Sequence, residues 1–229
     1  MKHLFIILLI GFTYTGFAQQ TVERESKLTP QVKEVYNVLS SDYNTRQGTY
    51  AAYVKKKMIA AGRYEKNKKV GAWTFFNRKG EVIQRYNFDN NTLLYDAPED
   101  TTSSFRYVID REFKDTDRIT KPVKVGGRYY GYLRYLNLFK LPPDMIGISD
   151  NAFAITMELL VSPLGRLAEY KVRIRSLLRP EEEVALNLNL NLLTDEDKTF
   201  IPATVNGELV STRVIIRCHL VGADRIDID

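Results

Sequence analysis

The sequence predicts an α+β fold: a small antiparallel sheet with a packed helix, preceded by β-hairpin repeats. Three observations carry this. Residues 48–95 alternate aromatic and polar side chains between recurring turn signals, the pattern of successive hairpins. Phe153, Ile155, Met157, Leu159 and Val161 fall at period two, as do Tyr170, Val172 and Ile174, with Ser162-Pro163-Leu164-Gly165 as the turn between the two runs. Pro180 followed by Glu181, Glu182 and Glu183 has the composition of the acidic first turn of a helix.

At the amino terminus, Lys2 precedes an apolar run from Leu4 to Phe12, and Gly16-Phe17-Ala18 precedes the polar Gln19-Gln20. This is the layout of an export signal at residues 1–18, cleaved after Ala18. The run is shorter than the roughly 20 apolar residues of a membrane span, and no cysteine follows the cleavage site to take a lipid. The mature chain is expected in the periplasm or secreted, with no transmembrane span.

Hydrophobic residues make up 44% of the chain and 14 are tyrosine, which favours a packed core over disorder. The single cysteine, Cys218, excludes an internal disulfide framework. The formal charge of +5, one unit of which leaves with Lys2, is too mild and too dispersed to suggest a nucleic-acid partner. His3 leaves with the signal, so one histidine is left, no His-based metal cluster can form, and no cofactor is expected. Cys218 and His219 are adjacent, and on a strand they point to opposite faces, which rules out a nucleophile–base pair. The sequence contains no phosphate-binding glycine loop, no H-E-x-x-H and no G-x-S-x-G. The carboxylates of Asp115 with Asp117, and of Glu181 to Glu183, read as solvated caps. Catalysis is not expected.

Residues 19–47 form a lead-in segment in which Thr29-Pro30 can start a short helix carrying Val32, Val35, Tyr36 and Leu39. Within residues 48–95 there is an internal repeat: Gly48-Thr49-Tyr50-Ala51-Ala52-Tyr53 corresponds to Gly71-Ala72-Trp73-Thr74-Phe75-Phe76. With Gly71, Trp73, Phe76 and Gly80 at the glycine and aromatic positions, this stretch resembles the MORN-like hairpin repeats of bacterial surface proteins. Its aromatics suit either a binding ribbon or, more commonly, the core of the repeat. Residues 96–125, with Pro98, Thr101, Thr102, Ser103 and Ser104, read as a linker, although Phe105 to Phe113 can contribute a strand.

Residues 126–229 open with Gly126-Gly127 and YLRYLNLFKLPP, and contain the two alternating runs described above. After the acidic turn, Leu186, Leu188, Leu190 and Leu192 alternate with Asn187, Asn189 and Asn191, a strand by periodicity alone, so helix and strand both stand open there. Asn206-Gly207 makes a turn before Val214, Ile216, Cys218 and Leu220, which alternate with Arg213, Arg217 and His219. In this order the landmarks resemble the TonB carboxy-terminal domain over residues 126–221, most diagnostically in Pro202-Ala203, Asn206-Gly207 and the strand that follows.

The resemblance implies a helix at 181–193 packed on a three-stranded antiparallel sheet. It also implies a last strand at the sheet edge, where Arg213, Val214, Ile215, Ile216 and Arg217 would accept an extended peptide from an envelope or outer-membrane protein. The chain departs from the family in lacking a proline-rich spacer and in carrying Phe200 where tryptophan is common. Non-catalytic protein binding is therefore the expected role, with membrane-anchored energy transduction for outer-membrane transport as the alternative. The residue pattern adds a second candidate. If the strands neighbour each other, Lys171, Arg173, Arg175, Arg213, Arg217 and His219 share one face, which suits an anionic partner, although Glu158 and Glu169 dilute its charge. Cys218 falls on the apolar side and reads as a small buried hydrophobe.

Overall fold

A computed structural model describes residues 20–228, and the expected export signal lies outside them. The first half of this chain is a meander of seven antiparallel strands that lie side by side in chain order. They are β1 (Thr21–Lys27), β2 (Val32–Leu39), β3 (Asp42–Val54), β4 (Lys57–Glu65), β5 (Lys68–Phe76), β6 (Val82–Asn87) and β7 (Thr92–Asp96). Local chemistry sets the turns. Glu65 pairs with Lys68, so Lys66 and Asn67 form a two-residue loop, and both have positive φ (46° and 67°), as a type I′ hairpin demands.

The internal repeat acquires a structural meaning here. Tyr36 pairs with Tyr50 but Val38 with Arg46, and likewise Ala61 pairs with Thr74 but Arg63 with Val70. In both places the later strand carries extra residues at a left-handed glycine, Gly48 or Gly71. The same bulge is thus built twice, and in each copy an aromatic two residues on, Tyr50 or Trp73, turns into the core. These two rings lie 5.0 Å apart.

Beyond the meander follow β8 (Phe105–Ile109), β9 (Ile119–Thr120), the short helix α1 (Leu133–Leu138), β10 (Phe153–Val161), β11 (Leu167–Ser176), β12 (Glu183–Asn187), β13 (Ala203–Val205), β14 (Glu208–Val210), β15 (Thr212–Val221) and β16 (Arg225–Asp227). A second sheet has the order β12-β11-β10-β15-β16, with β8 also paired to β15; a small third sheet has the order β14-β13-β9. Residues 129–139 fill the space between the two larger sheets. Tyr130 stacks on Phe75 at 5.6 Å and its hydroxyl shares a 2.8 Å hydrogen bond with that of Tyr50, while Tyr135 meets the ring of Tyr170 on β11 at 5.4 Å. One continuous hydrophobic core results, joining Trp73 and Phe75 to Tyr135 and to Met157, Val172 and Ile216.

Several expectations are corrected. The α+β class with a packed helix is replaced by a largely antiparallel β architecture, in which α1 is the one α-helix among the described residues. The helix implied at 181–193 is β12 followed by a 3-10 turn at Leu190–Leu192. The Leu/Asn alternation prevails because β12 pairs with β11, placing Val184 beside Ile174 and Leu186 beside Val172, with Leu186 packed on the core.

The lead-in helix is β2 instead. Its inner positions are Val32, Glu34 and Val38, all buried, and the acid at the middle one disguised the period-two pattern. Glu34 is tolerated inside because the guanidinium of Arg46 pairs with it at 2.7 Å and lies 4.1 Å over the ring of Tyr36. Thr29 marks the bend before the strand, its hydroxyl accepting from Gln31 N and Val32 N. The linker at 96–125 contains β8 and β9, which extend the second and third sheets. The strands read from alternation do form, as β10, β11 and β15, and Asn206-Gly207 makes the turn between β13 and β14.

Candidate anion-binding face

The proposed edge strand is an interior one. On one side β15 pairs with β10 from Ile155↔Cys218 to Val161↔Thr212; on the other it pairs with β8 from Ile216↔Phe105 to Thr212↔Ile109, and then with β16 from His219 onward. Between those two partners, Arg217 N donates to Ser104 O at 2.9 Å. The backbone groups of Arg213, Val214, Ile215, Ile216 and Arg217 are therefore engaged on both sides, and a peptide cannot add there without displacing β8. The side chains of Val214 and Ile216 are buried in the core.

The basic face does assemble. β10 lies between β11 and β15, so Lys171, Arg173 and Arg175 and, across the strand, Arg213, Arg217 and His219 project from the side of the sheet opposite Met157, Val172 and Ile216. The side chains on this face divide into two groups. Three carboxylates neutralise one end: Glu169 pairs with Lys171 at 2.8 Å and with Arg213 at 3.5 Å, Glu158 pairs with Arg173 at 2.9 Å, and Glu183 also pairs with Arg173. The hydrogen bond from Lys171 holds the Glu169 carboxyl below its usual range. The opposite end has no such compensation. Arg175, Arg217 and Arg106 of β8 are exposed and have no carboxylate partner among the described residues.

These three arginines surround a cavity of about 530 Å3. The concavity follows from residue size. On the outer face β10 places the short side chains of Ala154, opposite Arg175, and Thr156, between Arg173 and Arg217, under the cavity, while long side chains rise on both neighbouring strands. Arg175 pairs with Ala154 and Arg217 with Thr156, so two strand spacings of about 4.8 Å and a two-residue offset put their backbones roughly 12 Å apart across β10, within reach of one ligand for two long guanidinium side chains. Leu177 and Ile215 give the cavity an apolar wall. Asp150, at its rim, accepts the backbone N–H of Leu220 at 3.0 and 3.2 Å.

Arg106 was missed in the sequence, because its segment read as linker; the alternation of Phe105, Tyr107 and Ile109 with Arg106 and Val108 was the available signal. Two other cations, at the core, are already committed. Lys124 Nζ donates to the carbonyls of Glu196, Asp197 and Thr199 at 2.7, 2.7 and 3.0 Å, with burial drawing its pKa down to about 8. Arg78 is paired with Asp227 and stacked on Tyr129.

Cys218 points into the core while His219 lines the outer cavity. Burial pushes the Cys218 thiol up to about 12. At neutral pH a maleimide or disulfide reagent is expected to label native protein at least about a hundredfold more slowly than an ordinary cysteine of pKa about 8.5, and rapidly once denaturant is added. Fast labelling of the native state would overturn this assignment. No group of three or more His, Cys, Asp or Glu placed to hold a metal occurs among the described residues. No helix among them is long and apolar enough to cross a membrane. Compared with known proteins, the chain matches no family model, and no curated protein or solved structure matches it.

Proposed function

We propose that this protein is an exported envelope component that acts as a non-catalytic binding module and takes an anionic partner on the outer face of its second sheet. The observation that carries this reading is the set of Arg106, Arg175 and Arg217, three exposed guanidiniums without a carboxylate partner among the described residues, at one end of a face whose other end is fully compensated. Uncompensated like charges held together cost stability, and in a binding protein that cost is met by the ligand. Strand addition along residues 211–220 is not part of the reading, since both sides of that strand are occupied.

The test uses the mature chain as bait against detergent-solubilised envelope, with Arg175→Glu/Arg217→Glu as the comparison. Wild type is expected to retain an anionic envelope component, the double variant to lose it while its circular dichroism is unchanged, and raised salt to weaken retention. Equal retention by both proteins sinks the proposal.

A further inference from the structure

Resting on that reading of the outer face, we infer that the cavity bounded by Arg106, Arg175 and Arg217 binds a phosphate monoester carried on a small organic skeleton. Charge selects the group. Among the described residues that line the cavity, three guanidiniums stand against the carboxylate of Asp150, a formal excess of two positive charges, which a phosphate monoester matches with about −1.5 to −2 charges and three acceptor oxygens. A carboxylate offers one charge and two oxygens and would leave one arginine unsatisfied. Guanidiniums also present paired donors in a planar fork suited to phosphate oxygens, whereas ammonium groups act as point charges. Lys171, the lysine on this face, is held by Glu169 at the compensated end.

Volume and lining select the skeleton. At about 530 Å3 the cavity falls in the range of small-molecule sites, on the order of 300–1,000 Å3, and is much larger than a bare phosphate needs. The space beyond the arginines is walled by Leu177, half exposed at 50%, and by Ile215, with the Thr156 hydroxyl on the floor. Leu177 has no role in the core that would explain its position, and next to a bound phosphate it covers the carbon skeleton. The site therefore fits the phosphorylated part of a sugar or of a lipid headgroup.

Titration calorimetry on the mature chain tests this with glucose 6-phosphate, inorganic phosphate and glucose, and a flotation assay adds phosphatidylcholine vesicles with and without phosphatidic acid. Glucose 6-phosphate is expected to bind, inorganic phosphate more weakly and glucose not at all. Arg175→Ala and Arg217→Ala should each weaken binding by about tenfold to a hundredfold, the loss of a charge-assisted hydrogen bond, while unfolding at no lower temperature than wild type. Flotation with phosphatidic acid and no response to glucose 6-phosphate keeps the phosphate monoester and assigns it to a lipid. Inorganic phosphate binding as tightly as the sugar phosphate overturns the organic skeleton, and the absence of binding by every phosphorylated probe overturns the inference. If no phosphorylated probe binds yet Arg175→Glu/Arg217→Glu still abolishes envelope capture, the inference falls and the binding-module reading stands; if capture too is indifferent to the double variant, both fall.

Discussion

Trp73→Ala is expected to lower the unfolding free energy by about 3–5 kcal/mol, the cost of deleting a large aromatic side chain from a close-packed core. Trp73 is fully buried, with ring centroids of Tyr50, Tyr64, Phe88 and Phe75 at 5.0, 5.3, 5.6 and 6.2 Å, and its indole N–H donates to Arg63 O at 3.2 Å. The indole also lies directly on Gly62, where a Cβ would come within 2.2 Å of its ring carbons. Truncation thus leaves a void floored by a residue that has no side chain to fill it. Since small domains are stable by only about 5–15 kcal/mol, urea unfolding followed by circular dichroism should show a large drop in midpoint. Gly62→Ala, which overfills the same spot, should destabilise by about 1–3 kcal/mol. A Trp73→Ala midpoint close to that of wild type would mean that the meander is not locked to the rest of the core.

Gln84→Leu is expected to cost about 2–5 kcal/mol, because it strands two buried backbone donors at about 1–3 kcal/mol each. Gln84 is 1% exposed. Its Oε1 accepts from Gly126 N and Gly127 N at 2.8 and 3.0 Å, and its Nε2 donates to Lys124 O at 3.1 Å and to Asp96 Oδ1 at 2.9 Å. One side chain on β6 thereby fastens residues 124–127, where the chain passes from β9 into the segment that fills the space between the two larger sheets. The two glycines are required there, since φ is 116° and 70° and a Cβ at Gly127 would come within 2.8 Å of Ile83. Hydrogen exchange at Gly126 and Gly127 gives a direct readout: protection should fall in Gln84→Leu well beyond the change at β10. Unaltered protection there would show that another group satisfies these amides.

What the sequence disclosed follows the physics of each element. β10, β11 and β15 were legible because each buries one face and turns mainly polar residues to the other, so period two stands out despite Ala154, Leu160 and Ile215 on the outer side. β2 was not, because Glu34 occupies an inward position and its partner Arg46 comes from the next strand; a buried ion pair erases the pattern from either strand read alone. Residues 181–193 were misread through resemblance, although their own Leu/Asn alternation pointed to a strand. The basic face was legible in part: Lys171, Arg173, Arg175, Arg213, Arg217 and His219 do share a side of the sheet. Its division into a neutralised end and an uncompensated end depends on Glu183 and Arg106, contributed by strands whose pairing no local pattern reveals. For the same reason the edge assignment of β15 failed, since β8 fills that edge from a segment that reads as a connection.

The position of β15 between β10 and β8 also governs the order in which the chain acquires its shape. Every strand of the meander pairs with its sequence neighbour, so this half can form step by step as the polypeptide emerges. β8 has no such neighbour: Phe105 must wait for Ile216, and until then its hydrogen-bonding edge and the aromatic side of Phe105 and Tyr107 stay uncovered. The slow, aggregation-exposed step of folding is then the closing of the second sheet around β15, which also completes the core that the meander shares with it.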